Sequence, residues 1–358
     1  MQPMSDTPQA GKTAVFYHNP CLDGAASAWA AYQAFGDDAV YLGINHNTPE
    51  AILAQIMPLV EESSRVIFAD IAPHPKVLEA LVEKAGSIEI IDHHITEIRR
   101  LDGFTHPKVT TVLDNGKSGG SLVFHYLLPS EAVPPVIQWV ETVDLERSDD
   151  PNFYPLAAYL DTLNLSTIER IVASFEHTAS LSDEEILSIG HGKDFVQRVR
   201  IEEALQTRQE IQIPLEEGGP AVPVLMICGN PRELGRRYSK QLQAIAADHP
   251  SGAALSWFED PYGTVRVSVR TNGVPDASRI AEYFGEQGLS GGGHARLAAA
   301  HFTKEQFEQF FGIPAIQPEL AQQSPMLKGM RSSAPKEVTG SGVQFQFQAE
   351  QKGTALRA

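Results

Sequence analysis

The sequence predicts an α/β protein: a parallel-sheet domain, a helical connector, and a smaller α/β domain. Three observations lead there. Short apolar strands alternate with amphipathic helices through the first third, the middle of the chain is helical, and strand patterns return beyond residue 211. In the first third, residues 13–17 (TAVFY) form the first strand candidate, followed by an alanine-rich helix over 24–35. Residues 39–42 are a second strand, and 49–61 a helix with Ile52, Leu53, Ile56 and Leu59 at helical spacing. A third strand covers 65–69, a helix 75–85, and a fourth strand 87–91. Such near-continuous apolar strands, separated by helices, belong to a largely parallel sheet covered on both faces. Ligands of such sheets collect beyond the carboxyl ends of the strands. His18 follows the first strand, Asp70 the third and Asp92 the fourth, so all three are placed along one rim.

After about residue 115 the pattern turns helical. Residues 118–121 open an apolar helix running through 128, and helices are expected over 134–143, 160–177 and 183–210, the last a long connector. Strands are expected at 222–227, 253–258 and 264–269, a helix at 275–284, and a glycine-rich loop at 291–294 before 295–300. The predicted organisation is thus 13–180, a connector 181–210, and a second domain 211–315. The ends, 1–12 and 316–358, are expected to be disordered, the latter rich in Gln, Ser, Gly and Lys.

Composition limits the functional classes. With 28 basic against 45 acidic residues the formal net charge is −17, which argues against a general duplex-DNA binder. A site that holds phosphate through metal ions remains open, because the ions supply the positive charge. Two cysteines, Cys21 and Cys228, give no disulfide framework and suit a reducing cytoplasm. No stretch approaches the ~20 apolar residues of a membrane span, and the polar start lacks the apolar core of a signal peptide. A soluble cytoplasmic protein is expected.

Four short stretches carry metal-ligand types in order: His18-Asn19-Pro20-Cys21-Leu22-Asp23-Gly24, then Asp70, then Asp92-His93-His94, then Asp144. Carboxylates and imidazoles gathered at strand ends are what a divalent cation needs, and four such stretches point to a metal-dependent phosphoesterase. Taken singly, each has a bland alternative. Asp70 and Asp92 could be caps or turn residues, His93-His94 a surface turn, and His18 a strand-end histidine bonded to backbone. Asp144 has Asp149 and Asp150 as neighbours, and Arg270 could be a solvated strand residue. Arg236-Arg237 is read as a solvated helix face, with contact to a nucleotide backbone as the minor alternative. His46, His74, His106, His125, His177, His191 and His301 have no motif support.

Asp92-His93-His94 after a strand, with Asp23 and Asp70 upstream and Asp144 downstream, resembles the DHH phosphoesterase superfamily. Further on, Val267-Ser268-Val269-Arg270, Asp276 to Ala281 and the GGGH run Gly291-Gly292-Gly293-His294 resemble the DHH-associated domain. The resemblance covers about residues 13 to 310. It implies a DHH catalytic domain and a DHH-associated domain with substrate in the cleft between them. It also implies hydrolysis of phosphoric esters or anhydrides with two divalent ions: Mn2+ first, with Mg2+ or Zn2+ as alternatives.

Carried over by position, the resemblance makes Asp70 the carboxylate between the ions. Asp23, His93 and Asp144 become ligands of one ion, and His18 a ligand of the other. Asp92 would hold the His93 ring, and His94 would face the substrate phosphate. Arg270, Gly291, Gly292, Gly293 and His294 would contact substrate, with Arg270, Asp92 and His94 serving the reaction. The first motif departs from the usual pattern, since Cys21 stands where a carboxylate is common. A thiolate is a softer ligand and favours softer ions, so Cys21 either ligates or leaves that ion one ligand short. The implied partners are a small nucleotide or short single-stranded oligonucleotide, with no duplex DNA and no membrane; a homodimer is left open. Phosphoanhydride hydrolysis on polyphosphate or pyrophosphate, and a non-catalytic nucleotide-binding relative, are the competing readings.

Overall fold

A computed structural model describes residues 11–45, 48–62 and 64–315, apart from the side chains of Gly11, Arg232, Gly293 and His294. The described residues all belong to one compact unit. The expected disordered ends and His46 lie outside the described residues, except that residues 11 and 12 open the first strand.

Five strands, β1 Gly11–His18, β2 Ala39–Ile44, β3 Ser64–Ala69, β4 Ser87–Asp92 and β5 Val109–Leu113, form an all-parallel sheet in the order β2-β1-β3-β4-β5. Alternate side chains explain why it needs cover on both sides. Val15, Tyr17, Ile67, Ala69 and Ile91 pack into one core, and Ala14, Phe16, Val66, Phe68, Ile88 and Ile90 into the other. Helices α2 Pro49–Ile56, α3 Pro75–Lys84 and α4 Ile95–Leu101 contribute to the second core. The first core takes α1 Leu22–Phe35, α5 Gly119–Leu127, α6 Pro135–Asp144, α7 Phe153–Leu160 and α8 Ile168–Ser180. Helix α1 is buried along residues 23–31, and its alanines let α5 approach closely.

Helix α9 Asp183–Gln206 leads to the second sheet. There β6 Gln209–Pro214, β7 Ala221–Cys228, β8 Ala253–Glu259, β9 Val265–Thr271, β10 Ser290–His294 and β11 Leu297–Phe302 run in the order β10-β11-β9-β8-β7-β6. Only β7 and β8 pair in parallel. Helices α11 Ala277–Gln287 and α12 Lys304–Phe311 cover one face over Val265, Val267 and Val269. On the other face α10 Pro231–Asp248 packs over β8 and β9. No helix among the described residues is long and apolar enough to cross a membrane.

The α/β class and parallel first sheet are as expected; several elements differ. Strand β5 and helix α4 were not expected: β5 has only five residues and its middle is exposed, so it lacks an apolar run. A helix over 160–177 was expected, but α7 ends at Leu160 and α8 begins at Ile168. Between them Asn164 accepts hydrogen bonds from the Ser166 backbone N–H and hydroxyl, and Thr167 caps α8 at the Arg170 N–H. Helix α9 stops at Gln206 rather than 210, because β6 takes over. The glycine run 291–294 is an edge strand paired with β11, not a loop.

Candidate metal centre

The strand order β2-β1-β3-β4-β5 changes direction between β1 and β3, and that switch point is where an open parallel sheet forms its ligand crevice. His18 ends β1 and Asp70 follows β3, one on each side of it. Asp92 ends β4, and His93 and His94 follow as the chain turns into α4. Cys21 is the N-cap of α1 and Asp23 lies in its first turn. Asp144 is the last residue of α6.

These side chains converge in three overlapping groups whose ligand atoms lie within 4.8 Å of one another: His18, Cys21 and Asp70; Asp70, His93 and His94; and Asp23, His93 and Asp144. Asp70 belongs to two of them and connects the centre. Its Oδ2 is 3.5 Å from His18 Nδ1, and its Oδ1 is 3.3 Å from His93 Nε2. Both oxygens are buried, and neither accepts an aligned hydrogen bond. The residue is 1% exposed. Its backbone is left-handed, with φ 62°, a conformation that a non-glycine residue adopts at a cost. The fold thus holds a buried carboxylate in a strained turn with its two oxygens directed at two different ligand groups. A pair of cations fits that arrangement.

His93 is the second hub. Its Nε2 lies 3.5 Å from Asp23 Oδ2 and 3.6 Å from Asp144 Oδ2. Burial pushes the imidazole pKa down, but Asp70, Asp23 and Asp144 outweigh it and raise it to about 9. Burial raises the carboxyl of Asp23 well above its ordinary value, with Asp70 and Asp144 adding to it. Asp144 is raised mainly by burial, against the pull of His93. Burial also lifts Asp70, but the nearby His18 and His93 bring it below the usual carboxylate range. Cys21 is pushed up to about 12 by burial and by Asp70.

Glycines that the sequence did not mark as functional build part of this geometry. The backbone N–H groups of Gly119 and Gly120 donate to Asp23 Oδ2 and Oδ1 at 2.5 and 2.9 Å. They open α5, so the positive end of that helix fixes the Asp23 carboxylate. A Cβ at Gly119 would sit 2.5 Å from Asp70 Oδ1, and one at Gly24 would collide with the His18 carbonyl. The signal was present in Ser118-Gly119-Gly120, but it reads equally well as a plain helix start.

One expected contact is different. Asp92 does not hold the His93 ring. Its Oδ1 is 2.7 Å from His94 Nδ1 and accepts the backbone N–H groups of His93 and His94 at 2.7 and 3.1 Å. The short turn brings the next residue but one onto the carboxylate, leaving the His93 ring free to turn inward. His94 has a raised pKa, chiefly from this bond. Its side chain is 38% exposed against 13% for His93, so it sits at the mouth of the centre. It also belongs to a metal-capable group with Asp70 and His93, a role the sequence pattern did not assign to it.

In the second sheet Arg270 is 7% exposed, and burial lowers its pKa to about 10. Its guanidinium donates only long bonds, to Val269 O at 3.3 Å and Ser239 Oγ at 3.5 Å, and no described carboxylate pairs with it. The register places Arg270 opposite Leu297 and Leu297 opposite His294. The next row on that face is Ser268, Ala299 and Gly292, a floor of small residues. The His294 side chain lies outside the described ones. Arg237 is not a solvated residue: it donates to both oxygens of Asp194 at 3.0 Å and stacks 3.7 Å over the Tyr154 ring. Arg236, beside it, is half-buried, and its charge reaches Asp144 and Asp161.

No protein-family model matches the sequence, and no curated protein does. Among solved structures, the chain is similar to the pGpG-specific phosphodiesterase PggH from Vibrio cholerae, at 12% identity and TM-score 0.45, over 84% of this chain and 96% of that one. It is similar to CDC45 from Entamoeba histolytica at 10% identity and TM-score 0.43, over 84% and 95%. It is also similar to RecJ from Thermus thermophilus in complex with Mn2+, at 13% identity and TM-score 0.41, over 87% of this chain and 52% of that one. The ordered motifs of the first sheet meet at one site, and a second sheet carries the remaining ones.

Proposed function

We propose that this protein is a metal-dependent phosphoesterase of the DHH type, acting on short oligonucleotides or dinucleotides. The observation that carries the reading is Asp70, whose two buried, unbonded oxygens face His18 on one side and His93 on the other. Two divalent ions at such a centre supply an activated water and positive charge for phosphoryl oxygens. His18, Cys21 and Asp70 would hold one, and Asp23, His93 and Asp144 the other. Manganese is the first choice for a mixed imidazole and carboxylate set, with magnesium or zinc as alternatives.

The remaining residues act by position. His94, oriented by Asp92 and open to solvent, would donate to a phosphoryl or leaving oxygen at the mouth. Arg270, a buried cation without a carboxylate partner among the described residues, calls for an anion, and a substrate phosphate would satisfy it. The floor of Ser268, Ala299 and Gly292 beside it leaves room for a flat group such as a base. Edge strand β10 would offer outward amides of Gly291 to His294 to the same ligand.

The phosphoanhydride alternative needs a basic cleft in the second sheet. Arg266 is bound to Asp260 at 2.9 Å, and Arg279 lies beside Asp276, so neither is spare for a polyanion. No exposed aromatic lies against Arg270 among the described contacts, and its neighbour Tyr238 is fully buried. That removes one form of support for stacking and leaves the small-residue floor to carry the nucleotide preference.

The test is release of phosphate and mononucleotide by the purified protein with manganese, magnesium or zinc. A dinucleotide, a short RNA, phosphoadenosine phosphate and polyphosphate form the panel, with Asp70→Ala and His93→Ala as controls. Metal-dependent turnover of a nucleotide substrate, lost in both variants, supports the reading. Turnover of polyphosphate alone would replace it with the anhydride reading. Tight dinucleotide binding with no turnover under any metal would replace it with a binding protein.

A further inference from the structure

We propose that Cys21 is a thiolate ligand and that it makes the two ion positions chemically unequal, one selecting a soft or borderline ion and the other a hard one. The inference rests on the metal-dependent reading above and deepens it. Cys21 and Asp23 are two residues apart at the start of α1, and that short separation sends them to different groups. Asp23 joins His93 and Asp144, while Cys21 joins His18 and Asp70. One group is therefore carboxylate, carboxylate and imidazole; the other is thiol, imidazole and the shared carboxylate.

The position beside Cys21 is built for an occupant. Asp70 is buried, and its Oδ2, directed at this group, accepts no aligned hydrogen bond. Burying such an oxygen without a partner is costly, and a cation removes that cost. The nearest carboxylates, Asp70 and Asp23, oppose a thiolate while no cation is bound. A dication reverses that opposition. The thiol proton leaves to solvent as the sulfur–metal bond forms, and the thiolate brings the same single negative charge that a carboxylate would. A sulfur ligand favours zinc, cobalt or cadmium over magnesium, whereas the Asp23–His93–Asp144 position has no sulfur and accepts manganese or magnesium.

Cobalt(II) titration of the metal-free, reduced protein reads this directly. A near-ultraviolet thiolate-to-cobalt charge-transfer band should grow with the first equivalent and be absent in Cys21→Ser, while Asp144→Asn should retain it. Given zinc and manganese together, the wild type should take up one of each, and Cys21→Asp should shift towards two manganese ions, with zinc affinity falling about ten- to a hundredfold. Cobalt bound by the wild type without a charge-transfer band overturns the proposal, as does an unchanged zinc preference in Cys21→Asp. The wild-type spectrum is decisive even if a variant fails to fold. The two readings separate cleanly: a band without turnover of any substrate keeps the ligand and removes the phosphoesterase, and turnover without a band does the reverse.

Discussion

His93 sets the terms on which the centre takes up a cation. Its pKa of about 9 in the metal-free protein means that an entering ion displaces a proton at neutral pH. Below that value the proton competes and above it the ring is free, so affinity rises with pH. Manganese affinity at the Asp23–His93–Asp144 position should increase by about tenfold per pH unit between about 7 and 9 and then level off. Calorimetry at several pH values checks this, and a flat profile would mean that His93 is not a ligand. Arg236 acts in the same field. Its charge reaches Asp144 from the second sheet's helix, opposing a cation there and favouring an anion. Arg236→Ala should bind manganese about two- to tenfold more tightly and a dinucleotide more weakly. A loss of both affinities would instead indicate structural damage.

Helix α5 shows how an element can be legible while its purpose is not. The pattern from Ser118 onward marks a helix start, and Ser118 does cap it by accepting from the Ser121 N–H. That its first two amides would hold Asp23, nearly a hundred residues earlier, depends on tertiary packing of α5 against α1. Gly119→Ala tests the element. The added methyl meets Asp70 and should cost about 1–3 kcal/mol of stability. Thermal unfolding should show the loss, and bound metal should fall with it, whereas an unchanged metal content would show that Asp70 has room to move. The strand-end candidates were readable because four such stretches in order leave few interpretations, although each alone reads as a cap or turn residue. The partner of Asp92 was not, because sequence order alone does not say whether the first or second histidine of the pair turns back. Helix α10 was read only at Arg236-Arg237 and its extent was not, because the left-handed Gly235, φ 73°, interrupts its periodicity.

Across the whole molecule, α10 ties the second sheet to the helices beside the first. Arg237 clamps Asp194 of α9 and covers Tyr154 of α7, and Lys240 lies 3.7 Å from Glu146 and 5.1 Å above the Phe153 ring. None of these is among the metal-ligand groups, so the clamp and the centre separate experimentally. Arg237→Ala leaves the buried Asp194 with only Arg198 beside it, at 3.4 Å, and should cost about 1–3 kcal/mol. KM for a short nucleotide should rise at least severalfold, while metal stoichiometry stays as in the wild type. If kcat fell with KM unchanged, α10 would instead serve the reacting atoms.

The hold that α5 keeps on Asp23 has a practical consequence. Gly119 and Gly120 amide protons point at a carboxylate oxygen whose charge is shared differently once an ion arrives. Glycine amides occupy a sparsely populated region of a nitrogen–proton correlation spectrum. In a nitrogen-15-enriched sample the protein therefore carries two resonances that move when the Asp23 position fills.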